Sequence, residues 1–60
     1  MMMIQVDLPE GQAWALAEFL KRVGYTDYRP LAVDEQEARD MQDAGEKLRA
    51  ALAEQGFAPR

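Results

Sequence analysis

The side chains of this sequence that could do chemistry are carboxylates at helical spacing, Glu35, Asp40, Asp43 and Glu46 with Arg39 among them, and one tryptophan, Trp14. Carboxylates act as general acid and base when two of them face each other in a cleft that excludes water. Carried on one helix, these spread across its solvent side, where nothing buries them. Nucleophilic catalysis finds no Ser, Cys or His in the chain and only one Thr, Thr26. A calcium loop needs oxygen ligands at alternate positions around a glycine turn. Asp40-Met-Gln-Asp-Ala-Gly-Glu46 matches that only superficially, inside residues that read as continuous helix. The joint absence of cysteine and histidine removes zinc, haem and iron–sulfur ligation. The inventory therefore points away from an enzyme and from any cofactor, and toward a protein that binds another macromolecule.

Two readings of the acids stand side by side. Acids early in a helix and bases late, here Lys47 and Arg49, complement the helix dipole, and Glu35–Arg39 and Asp43–Lys47 are ion pairs in the favourable i,i+4 order. Alternatively, the carboxylates present a negative surface that competes with nucleic acid for a basic groove on a protein partner. Trp14 is ambiguous in the same way. It falls almost opposite the middle of the apolar stripe of its helix, near Glu18 and Lys21. Either the N-terminal strand or the Tyr25–Tyr28 loop wraps it, or it is an interface anchor, a role in which tryptophan is enriched. Trp14, Glu35, Arg39, Asp40, Asp43 and Glu46 are thus the candidate partner-binding residues.

Positioning them falls to a chain of 60 residues, enough for one domain spanning 1–60 with a small core. Domains this small usually need a staple, and without cysteine the remaining support is a homodimer or a larger partner. The net charge is −4. Asp34, Glu35, Glu37, Asp40, Asp43 and Glu46 oppose only Arg39 between positions 34 and 46, a local balance of −5 that leaves the remainder at +1. No basic patch offsets this, so neither nucleic acid nor an anionic membrane is an expected direct partner. Met1-Met2-Met3-Ile4 has no basic stretch before an apolar one, and no long apolar run follows, so the expected location is cytoplasmic.

Residues 3–8 alternate, with Ile4, Val6 and Leu8 on one side and Gln5 and Asp7 on the other, which predicts a half-buried strand ended by Pro9. Residues 10–23 predict a helix whose stripe is Ala13, Leu16, Ala17, Phe19, Leu20 and Val23, with Gly24 as its C-cap. Residues 24–33 read as an ordered loop laying Tyr25, Tyr28 and Leu31 over the core, with a short strand possible at 31–33. Asp34 and Glu37 resemble a capping box for a second helix that runs to Gln55 and is capped by Gly56. Its stripe is Ala38, Met41, Gly45, Leu48 and Leu52, flanked by Ala44 and Ala51. Gly45 is expected to admit the first helix at Ala13 and Ala17. The tail can fold Phe57 back onto the helix end. The fold class that follows is α+β and mostly helical, one N-terminal strand and then two antiparallel amphipathic helices, β-α-α. The strand must find a partner in 31–33, in a second copy or in another protein's sheet edge.

The stretch Leu8–Gly24, continued by Tyr28-Arg29, Glu37-Ala38, Met41 and Leu48–Glu54, resembles a family of short uncharacterised proteins carried on proteobacterial plasmids, integrative elements and prophages. The resemblance covers nearly the whole chain and carries no functional residue with it. It implies a genomic setting in which small acidic proteins include anti-CRISPR inhibitors of host effector complexes, an analogy of size, charge and setting. The leading expectation is an acidic, non-enzymatic inhibitor or modulator of a host nucleic-acid-handling complex. The alternative is a small homodimeric interaction module or accessory subunit that pairs its N-terminal strand with another chain.

Without a basic cluster there is no gain from counterion release, so the protein is expected not to bind duplex DNA at about 150 mM salt. A gel shift checks this, and binding tighter than about 1 μM, the range where non-specific binding ends, would contradict it.

Overall fold

Pro9, with φ −56° and ψ 151°, sets the chain at the mouth of the first helix, and its carbonyl accepts from the Ala13 N–H at 3.0 Å. Glu10 then sits at the positive end of that helix and Lys21 and Arg22 at the negative end, the arrangement its dipole favours. A computed structural model describes all of residues 1–60. It contains α1 (Glu10–Arg22), α2 (Tyr25–Tyr28), a 3-10 turn (Arg29–Leu31) and α3 (Glu35–Glu54).

There is no strand, and the chain is all-helical. The expected β-α-α order is therefore corrected. Residues 1–9 run without helix, turn or bend, but residues 1–8 give and accept no hydrogen bond at all. A strand exists only through the ladder it shares with a neighbour. The one candidate within the chain, 31–33, is lost because Pro30 sits in the 3-10 turn, with the Ala32 N–H closing onto the Arg29 carbonyl at 3.3 Å. Leu31 and Val33 are left exposed instead of covering the core.

The connection between the long helices also differs from a loop. Gly24 does not cap α1 in a left-handed conformation; its φ is −131°. Val23 ends α1, its N–H bonded to the Phe19 carbonyl at 2.9 Å. Gly24 instead opens α2, where its N–H donates to Asp27 Oδ2 at 2.9 Å. At the start of α3, Asp34 Oδ1 accepts from the Glu37 N–H at 2.8 Å, as a capping residue should. Glu37 Oε1 accepts from the Val33 N–H at 2.9 Å, one residue before the position that would complete a reciprocal box.

Gly56 closes α3 with a φ of 97°, a left-handed conformation that L side chains rarely adopt. The Phe57 N–H bonds to the Leu52 carbonyl at 2.9 Å and the Gly56 N–H to the Ala53 carbonyl at 3.0 Å. This double closure is the Schellman motif, and it turns the tail back along the helix.

Only Ala13, Ala17 and Leu20 of α1 and Ala38 of α3 are buried. Three of these four are alanines, so α1 and α3 approach closely and bury little side-chain area. Phe19 and Leu48, expected in the stripes, remain about half exposed. Gly45 is indeed a close-approach position, but what fills the space above it is Tyr28 of α2, with Leu20 beside it. A Cβ at position 45 would collide with the Tyr28 hydroxyl while meeting Tyr28 Cζ only at 3.5 Å. Gly45→Ala is therefore expected to destabilise the native chain although it favours helix by about 1 kcal/mol. In a Tyr28→Phe background, where the colliding oxygen is gone, the same change should become neutral or stabilising. Thermal unfolding of the four proteins checks this, with a coupling energy of order 1 kcal/mol expected and additivity as the contradicting result.

Candidate interaction surface

Ile4, Val6 and Leu8 of the N-terminal run lie against the helices, as do Gln5 and Asp7 between them. With Leu16 of α1 and Leu48, Ala51 and Leu52 of α3 they line an apolar crevice of ≈ 250 Å³. Met2 and Ile4 continue the lining along Ala44, Gly45 and Leu48. The crevice is not closed. Ile4 is 76% exposed, Val6 66% and Leu8 39%, so the segment lies over the helices without burying the side chains it directs at them. The sequence reading treated these three as core cover. Left exposed, they form an apolar surface that no part of the chain covers.

The carboxylates lie on the side of α3 turned away from α1, with Asp40 at the edge nearest the N-terminal run. At about 100° per residue, Glu35, Glu46, Asp43 and Asp40 span an arc of about 140° on α3, facing away from Ala38, Gly45 and Leu52. All four are exposed, as is Arg39. Arg39 reaches Glu35 at 3.8 Å, the outer limit of an ion pair. Asp40 accepts a hydrogen bond from Gln36 Nε2 at 3.1 Å. Asp43 and Glu46 have no ion-pair partner, and the expected Asp43–Lys47 pair does not form. The other ion pair of the chain, Arg22–Glu18 at 2.9 Å, lies on α1. Asp40–Glu46 is continuous helix, and no group of carboxylates converges closely enough to hold a metal ion.

Trp14 meets the returned C-terminal tail. Its partner is Phe57, edge to face, with ring centroids 5.1 Å apart and planes at 71°. The Schellman turn at Gly56 delivers Phe57 to this place. Trp14 nevertheless stays 40% exposed. It belongs to a flank of α1, apart from the acidic arc on α3. The six candidate residues thus form two separate surfaces and not one site.

The chain belongs to a family of unknown function, DUF7706, whose model matches residues 1–60. No curated protein and no solved structure is significantly similar to it. No helix is long and apolar enough to cross a membrane.

Because Trp14 is the single tryptophan, its emission reports the contact with Phe57 directly. Phe57→Ala is expected to shift the emission to longer wavelength and to lower stability by about 1 kcal/mol, the scale of an edge-on aromatic pair. Unchanged emission would contradict the placement of the tail.

Proposed function

We propose that this protein is a non-enzymatic interaction module that docks on another polypeptide chain through residues 1–8, backbone to backbone, with Ile4, Val6 and Leu8 as the apolar contacts. What carries the reading is that these residues make no hydrogen bond within the chain. Unpaired amide and carbonyl groups in a run of this kind are free to pair with an edge from elsewhere, and alternate side chains then give the contact its selectivity. A partner that covers the segment also supplies the burial that a core of four residues lacks.

A second reading rests on a different observation, the exposed Asp43 and Glu46 without ion-pair partners and Asp40 beside them. It is an anti-CRISPR-like inhibitor carried by a phage or other mobile element, acting in the cytoplasm, whose acidic face occupies a basic surface of a host nucleic-acid-handling complex. Unpaired carboxylates favour it; the absence of any concave or preorganised feature on that face makes it the weaker of the two.

One capture experiment separates them. Immobilised wild-type chain, Val6→Pro and Asp40→Lys/Asp43→Lys are compared for proteins retained from a lysate of the producing cell. The docking reading expects a specific band that Val6→Pro loses at least tenfold, because proline removes a donor and a contact. The double lysine variant should keep the band. The reverse pattern transfers the function to the acidic face, and capture that survives both changes contradicts both readings.

A further inference from the structure

Building on the docking reading, we infer that the occupant of the N-terminal segment is a second copy of this chain, with the two segments antiparallel about a two-fold axis at Gln5. Surface area is the first argument. A folded monomer of 6.8 kDa exposes about 4,000 Å² by the scaling of surface with mass. This chain exposes 5074 Å². The excess of about 1,100 Å² is more than the ~800 Å² that each partner covers in an interface of standard size. The excess is surface enough for a second copy to cover.

Chemical pattern is the second argument. A two-fold interface brings the same patch together with itself, so the patch must be self-complementary. In an antiparallel pair, residues directly opposite lie on the same face. Centred on Gln5, the pairing sets Ile4 of one copy against Val6 of the other and Met2 against Leu8. Every apolar residue of the alternating set then falls on one side of the pair. A shift of one position would oppose apolar to polar residues and turn one copy's set to solvent. The paired run ends at Pro9, which has no N–H to offer and so marks the natural limit of a ladder.

Charge is the third argument. The segment's only acid is Asp7, and in this register it faces Met3 of the other copy. The two Asp7 side chains stand four positions out of step, about 13 Å apart along the chains. Glu35, Asp43 and Glu46 of α3 point away from the crevice, so two chains of net charge −4 meet without opposing these carboxylates.

Cysteine crosslinking tests the inference, since the native chain has no cysteine to interfere. Gln5→Cys and Asp7→Cys are prepared singly in the full chain and oxidised as purified proteins, with circular dichroism confirming unchanged helix. Both positions are exposed, so folding is unaffected. Directly opposed side chains are within disulfide reach, and the expected result is a covalent dimer forming at least tenfold faster through position 5 than through position 7. Equal rates, or no covalent dimer, overturn self-pairing in this register. If Gln5→Cys fails to crosslink while capture of a different protein remains sensitive to Val6→Pro, the docking reading stands and the second copy is excluded as its occupant. If both fail, both are wrong.

Discussion

Close packing of α1 on α3 through small residues governs the rest of this molecule. Ala13 and Ala17 on one helix and Ala38 on the other let the backbones approach, and Gly45 leaves room on α3 for the side chains of Tyr28 and Leu20. Hydrophobic stabilisation scales with the apolar area removed from water, and alanine offers little of it. Leu20 is the only large side chain among the buried residues. The larger apolar residues, from Met1 through Leu8 and on to Phe19 and Leu48, are consequently pushed to the outside or into the open crevice. The same geometry gives α3 an outer face with no packing duties, and that is where the carboxylates collect.

Two local devices finish the fold with few resources. The Asp34 cap fixes where α3 begins, and the Schellman closure at Gly56 both ends it and returns Phe57 to Trp14. Each satisfies backbone groups that would otherwise face solvent or a neighbour unpaired. Residues 1–8 have no such device. In a chain where both ends of α3 are closed by a cap or a turn, one unpaired stretch with alternating apolar side chains is the feature that a partner chain would complete.

The helices were legible because their signals are local. Pro9 and Glu10, the Asp34–Glu37 spacing, the 3.6-residue stripes and Gly56 each act within a few residues of the element they define, so α1 and α3 fall within about two residues of their expected bounds. What was not legible depends on contacts between distant positions. Gly45 announced a close approach, but its neighbour is Tyr28 and not Ala13, because α2 folds where turn-forming residues suggested a loop. Trp14 could not be assigned a cover, since Phe57 lies far along the chain and reaches it only through the geometry of the Gly56 turn. The N-terminal strand is the instructive error. Alternation describes which side of a segment is apolar, whereas strand structure requires a hydrogen-bonded neighbour, which this single chain does not supply.

Amide hydrogen exchange at residues 3–8 as a function of protein concentration tests the central claim most directly. In dilute solution those amides should exchange near the rate of an unstructured peptide while α3 remains protected. At high concentration they should slow at least tenfold, with α3 little changed, as a second chain supplies their acceptors. Protection of residues 3–8 equal to that of α3 at every dilution would mean the segment is satisfied within its own chain, and would contradict the account.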